Sequence, residues 1–291
     1  MSRLRTLLVA GLVSGCAVTP GPTVSPPPGA TTIPATTTAP TVPTSSSSTL
    51  PPTAACPDGD VMLTEGQLLA WEPPAADASR IDGIGWRMAG ECHIVTIAFA
   101  TDDGAPATTP PPLTADILRG AGVLRIDSAA TSSVIADQLV ETGLIERIFV
   151  PVDAEGNRFI DLVLSGPAVG RARLLTSPAR LEIELQPGGP PDVGRPLVAD
   201  NIVLVEPGEG AVVEPLIDVF GYSTSTEASL SVSVLNAGAT VEDAVLELAS
   251  PEGSWTAFSL TIPVGDRVYD RVQVETADGS VVAGIPVNPA P

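Results

Sequence analysis

The sequence predicts an all-β protein: two consecutive β-sandwich domains behind a signal peptide and a disordered Pro/Thr/Ser tether. Three observations carry that expectation. Short runs rich in Val, Ile and Leu recur from residue 93 onward, punctuated by Gly, Asn, Asp and Pro, as strands joined by tight turns would be. Aromatic residues make up only 3% of the chain, so its cores must be filled by aliphatic side chains, many of them β-branched, which favour a pleated surface. Ahead of these runs, residues 17–55 carry no charged side chain and consist mainly of Pro, Thr and Ser, a composition with no core to bury. The expected organisation is a signal peptide at 1–15, a tether at 16–55, a first β domain at 56–188, a linker at 189–198 and a second β domain at 199–291.

At the N-terminus, Arg3 and Arg5 precede a short apolar run from Leu7 to Val13, and the small residues Ser14 and Gly15 precede Cys16. That is the layout of a secretory signal peptide. The run is far shorter than the ~20 apolar residues of a membrane-spanning helix. The tetrapeptide "VSGC" resembles the bacterial lipobox, with Val13 where Leu is commonest. The resemblance implies that Cys16 is acylated, becomes the mature N-terminus and anchors an exported protein to the outer face of the cytoplasmic membrane. The alternative is a free cysteine within a discarded signal. The tether that follows would reach on the order of 100 Å if stiff and average nearer ~35 Å as a flexible coil.

In the first β domain, strands are expected at 93–100, 122–127, 147–152, 158–165, 170–176 and 180–186. The last alternates Leu181, Ile183 and Leu185 with Arg180, Glu182 and Glu184, the pattern of a half-buried strand with one face in solvent. "DAEGN" at 153–157 predicts a hairpin turn. Only "TADILRGAG" and "SSVIADQLVETG" suggest short helices. "PGGPPDVGRP" at 187–196 is too dense in Pro and Gly for an element and marks a boundary. Beyond it, seven closely spaced candidate strands fit an immunoglobulin-like sandwich, without the Cys pair and Trp of antibody domains.

Two stretches carry family resemblances. The segment from Gly143 to Gly188, with Phe159, Asp161, Leu162 and the turn Ser177–Arg180, resembles the AMIN-like domain of actinobacterial secreted lipoproteins. The resemblance implies a β-sandwich related to modules that direct envelope proteins to peptidoglycan, with no catalysis of its own. The stretch "EPGEGAVVEPLIDVFG", together with the closing "DGSVVAGIPV", is similar to the immunoglobulin-like domain of bacterial spore germination proteins. That likeness implies a structural or protein-binding module and says nothing about sporulation.

The residue types that carry chemistry are few. Three cysteines leave one unpaired in an exported protein; with Cys16 acylated, Cys56 and Cys92 are expected to form a disulfide. His93 is the only histidine, so a Ser-His-Asp triad, a Cys-His pair or a zinc site would each need it. Its neighbour Cys92 points to the opposite face of a strand, which disfavours a Cys-His pair. "PDGD" at 57–60 and "TDDG" at 101–104 are candidate calcium loops, but both lack regular oxygen-ligand spacing and read as turns. Trp71, Trp86 and Trp255 are expected to pack rather than to contact ligand. No cofactor or metal is implied.

A net charge of −20, with every basic residue an Arg, argues against a nucleic-acid partner. Residues 56–196 hold ten of the fourteen arginines, so an anionic wall polymer would have to be met there. Arg171, Arg173 and Arg180 are the candidates, with solvated strand faces as the plainer alternative. The expected function is a non-enzymatic envelope lipoprotein that binds or scaffolds peptidoglycan or an envelope protein. The alternative is a carboxylate-based hydrolase or a ligand-capturing receptor, which would need a polar pocket with facing carboxylates.

Overall fold

A computed structural model describes residues 56, 62–140, 142–191, 194–224, 229–248 and 253–289. The signal peptide, Cys16 and the tether lie outside these residues. The protein is nearly all β, as predicted. The first half contains β1 (Gly66–Trp71), β2 (Arg80–Ala89), β3 (Cys92–Ala100), β4 (Leu113–Leu118), β5 (Val123–Ser128), β6 (Ser132–Ser133), β7 (Asp137–Leu139), β8 (Ile145–Phe149), β9 (Phe159–Leu164), β10 (Ala168–Leu175) and β11 (Arg180–Pro187). They form a six-stranded sheet, β1-β4-β5-β9-β8-β7, facing a five-stranded sheet, β10-β11-β3-β2-β6. Val95, Ile97 and Phe99 of β3 meet Leu124 and Ile126 of β5 and Ile160 and Leu162 of β9 in the core between them.

Neither expected helix forms. Residues 114–118 belong to β4, where Leu113, Ala115 and Ile117 alternate inward against Thr114 and Asp116 outward, and only Arg119–Ala121 makes a 3-10 turn. The stretch 132–143 supplies the short strands β6 and β7. Two-residue alternation decides both cases, because the neighbouring strands supply hydrogen bonds along the chain. β1 and β2 appear where no strand was expected. The predicted hairpin is present: β8 and β9 pair antiparallel across the 153–157 turn.

The second half contains β12 (Leu197–Ala199), β13 (Ile202–Glu206), β14 (Val212–Val213), β15 (Leu216–Ser223), β16 (Ser229–Asn236), β17 (Ala239–Glu247), β18 (Thr256–Pro263), β19 (Arg271–Thr276), β20 (Val282–Pro286) and β21 (Asn288–Pro289). Its sheets run β12-β13-β15-β18 and β17-β16-β19-β20, with β14 and β21 paired apart from them. Leu204, Ile217, Val219, Val232, Val234, Val272, Val274 and Ile285 fill the space between the two main sheets.

The two sandwiches belong to one compact unit, and a third apolar cluster joins them. Val123 of β5, Phe149 of β8, and Phe159 and Val163 of β9 pack on Val203 and Val205 of β13, Tyr222 of β15 and Trp255. Every described residue of β9 is therefore buried, and four of the five in β13. The result is four stacked sheets, whose two inner layers are covered on both faces. The backbones also touch: the Val152 N–H donates to the Trp255 carbonyl at 2.9 Å, and the Ala257 N–H donates to the Val152 carbonyl at 2.8 Å.

The Pro/Gly-rich connection is pinned where it crosses the 3-10 turn. The Gly194 N–H donates to the Arg119 carbonyl at 3.1 Å, and a Cβ at Gly194 would overlap the Gly120 carbonyl. Gly208 closes on the same point. Only glycine allows three backbone segments to approach this closely.

Candidate functional site

The aromatic junction contains a buried charge. Arg125 of β5 donates from Nε to Asp161 Oδ1 at 2.8 Å and from its terminal nitrogen to Oδ2 at 2.7 Å, a bidentate pair with the aspartate fully enclosed. The guanidinium lies 4.3 Å from the ring centre of Phe220 and 5.0 Å from that of Phe159. Burial pushes the Asp161 carboxyl above its ordinary range, and Arg125 offsets this only in part. The Tyr222 hydroxyl is buried beside them without a hydrogen-bond partner among the described residues. The carboxylate is enclosed and the guanidinium nearly so, and the pair acts on the packing of the two sandwiches.

At the edge of this sealed junction lies a groove of about 510 Å³. The first sandwich contributes Glu65, the end of β4 and the 3-10 turn; the second contributes Glu206 to Gly208, Val212, Glu214 and the start of β15. β13 pairs with β15 only as far as Glu206 opposite Phe220. It stops there because Pro207 has no N–H for a ladder. β15 begins four residues earlier, at Leu216, and β18 covers its other side along the whole length. Among the described residues, Leu216–Val219 therefore have a strand on one side only, and the unpaired side borders the groove.

The lining is apolar with an acidic rim. Val212 is 67% exposed and Leu216 61%, unusual for aliphatic side chains beside a core. Glu65 meets Arg119 at 3.6 Å. Glu206, Glu214 and Asp218 have no cation opposite them among the described residues, although Thr261 donates its hydroxyl to Asp218 at 2.6 Å.

The residues singled out by sequence lie elsewhere. Cys56 and Cys92 form a disulfide, with Cα atoms 5.8 Å apart. The Glu184 carboxylate lies beside the sulfurs, but a disulfide offers no thiolate to a metal. His93 is buried, its Nδ1 2.9 Å from the Thr142 hydroxyl, and burial lowers its pKa. With Cys92 oxidised, no Cys-His pair exists.

Arg171 and Arg173 stand directly across the β10–β11 ladder from Glu184 and Glu182. Arg171 Nε donates to Glu184 at 2.9 Å, Arg173 Nε donates to Glu182 at 2.9 Å, and Arg173 also reaches Glu184 at 3.5 Å. The strand face expected in solvent is thus covered: Glu184 is 2% exposed and Glu182 8%. Two of the three candidate arginines are engaged with carboxylates. Arg180 is half-buried, beside Ala98 and Leu175, and is not brought to the groove.

In "TDDG", Asp102 accepts from the Ser79 hydroxyl, and Asp103 from the Thr101 hydroxyl and the Ala105 N–H. Those carboxylates close a turn. "PDGD" at 57–60 lies outside the described residues. Trp71 and Trp86 pack against the first core, and Trp255 sits in the junction. A second concavity, of about 260 Å³, holds Glu72, Asp127, Asp153 and Arg158. Asp153 there is tied to the backbone N–H groups of Glu155 and Asn157.

No protein-family model, no curated protein and no solved structure matches this chain.

Proposed function

We propose that the chain is an exported envelope lipoprotein whose two sandwiches serve as one rigid, non-enzymatic binding or scaffold module for peptidoglycan or an envelope protein. The observation that carries this reading is the junction groove: an exposed apolar lining and an open strand edge, held by two domains whose mutual orientation is fixed by packing. Exposed apolar surface in a concavity marks binding sites on soluble domains. Sealing residues such as Phe149 and Trp255 keep the groove preformed, which lowers the ordering cost of binding.

The AMIN-like reading of the first half is supported by its two-sheet sandwich, and the immunoglobulin-like reading of the second by its strand order, with β16 and β19 adjacent in one sheet and β13, β15 and β18 in the other. Cys16 supports the lipid anchor. Cys16→Ser is expected to release the protein from the membrane fraction or to block its processing. A variant that stays membrane-bound at the mature mass overturns the anchor. Crosslinking in intact cells is expected to recover a wall or envelope partner; recovery of nothing above an uncrosslinked control overturns the module.

A further inference from the structure

Resting on that reading, we propose that the groove receives an extended, basic peptide segment of a protein partner, which adds itself as a strand to the open side of β15 at Leu216–Val219.

Main-chain pairing is the first argument. A strand covered on one side presents unpaired N–H and C=O groups, a template for another extended chain. Among the described residues, β15 lacks its second neighbour along four positions, from Leu216 to Val219, about 13 Å of strand at ~3.3 Å per residue. That length accommodates a short segment in the manner of β-strand addition, where backbone bonds supply affinity and alternate side chains supply specificity. Edges of this kind are usually protected by charge, bulges or a covering loop. Here charge is present beside Leu216, yet the apolar side chain itself stays uncovered.

Charge is the second argument, and it selects the occupant. Among the described residues, Glu206, Glu214 and Asp218 border the same opening without a cation opposite them, while Arg119 is matched by Glu65. An anionic wall polymer would be repelled by this rim. So would a second copy of this chain, at net −20. The chain's own residues 17–55 contain no charged side chain and offer no complementary cation. A segment alternating Arg or Lys with Val, Ile or Leu satisfies all three features: backbone for β15, apolar side chains for Val212 and Leu216, and cations for the rim.

The test uses the mature chain with Cys16→Ser, purified oxidised, and fluorescence anisotropy. The probe is a capped peptide of about seven residues alternating Val and Arg, long enough to span the open edge. Controls are the Val/Glu peptide, the Val/Arg peptide methylated on alternate backbone nitrogens, and soluble peptidoglycan fragments. Saturable binding of the Val/Arg peptide is expected, weakened at least tenfold by backbone methylation, at least tenfold by Glu214→Lys combined with Asp218→Lys, and not reproduced by the Val/Glu peptide. Both substituted residues are exposed, so the variant should keep the parental circular dichroism.

Binding insensitive to methylation would show plain electrostatic adhesion and overturn the proposal. So would the absence of Val/Arg binding, or binding of peptidoglycan fragments that the double variant abolishes. A photo-crosslinker at Leu216 separates this inference from the broader one. If intact cells yield a partner crosslinked elsewhere on the sandwiches but not at Leu216, the module stands and the strand-addition site falls.

Discussion

Phe149 at the end of β8 and Trp255 ahead of β18 meet edge to face, their ring centres 5.0 Å apart and their planes at 80°. One ring belongs to each sandwich. Tyr222 completes the cluster at 5.0 Å from Phe149 and 5.8 Å from Trp255. Edge-to-face pairs contribute about 0.5–1.5 kcal/mol each beyond their buried area, so this contact couples the two halves rather than merely placing them side by side.

Trp255→Ala should therefore lower stability by about 3–5 kcal/mol, the usual range for a buried Trp truncation. It should also uncouple the sandwiches. Chemical unfolding of the parent, followed by far-UV circular dichroism and by tryptophan fluorescence, is expected to give coincident midpoints; in the variant the fluorescence comes from Trp71 and Trp86 of the first sandwich alone. In the variant the two midpoints should separate; midpoints that stay coincident would show that the coupling does not depend on Trp255.

Asp161→Asn should cost about 3–5 kcal/mol, because it leaves the Arg125 guanidinium buried without its anion. Replacing both partners, Arg125→Met with Asp161→Leu, should cost less than the single change, since no unpaired charge then remains. Urea midpoints of the three proteins decide the matter. A double variant weaker than Asp161→Asn would show that the pair is itself the main source of stability.

Tyr222→Phe should be neutral or stabilising, by up to about 1 kcal/mol. The ring is fully buried, but its hydroxyl has no partner among the described residues, and an unsatisfied buried hydroxyl is a cost that Phe removes. A loss above that figure in thermal unfolding would reveal a hydrogen bond for the hydroxyl.

His93 is the sole histidine, so its imidazole resonances are unambiguous in proton NMR. Burial lowers its pKa, and titration should fall below the ordinary value of 6.5. The unfolded chain then takes up the proton first. Stability should decline as pH drops through about 6.5, level off below the folded-state pKa, and show a shallower decline in His93→Gln. A midpoint at or above the ordinary value would contradict the burial argument.

Much of the strand pattern was legible, and for a simple reason: segments such as 180–186 and 159–164 have few competing readings. The misread stretch 114–122 also alternates, but its short Ala, Asp and Leu sequence has acceptable helix propensity, and tertiary pairing with β1 and β5 decides it. β2 was missed because Arg80, Asp82, Gly83 and Gly85 dilute its apolar residues. Glu182 and Glu184 looked like a solvent face since nothing local shows that Arg171 and Arg173 stand opposite them.

The four-layer stack did leave a trace in the sequence. "FIDLVL" and "IVLVE" lack clean alternation, which is what a strand buried on both faces requires. The groove left almost none. It depends on β13 stopping at Pro207 while β15 starts earlier, and register between distant strands is not written in either segment alone.

The Cys56–Cys92 bond has a mechanical consequence. A pull arriving along the chain ahead of residue 56 passes through the sulfurs directly into β3, an interior strand of its sheet flanked by β2 and β11. Residues between the two cysteines, including edge strand β1 and all of β2, fall inside the closed loop and carry none of that tension. Peeling from the N-terminal edge, the easiest way to unzip a sheet, is bypassed; the load enters a strand hydrogen-bonded on both sides.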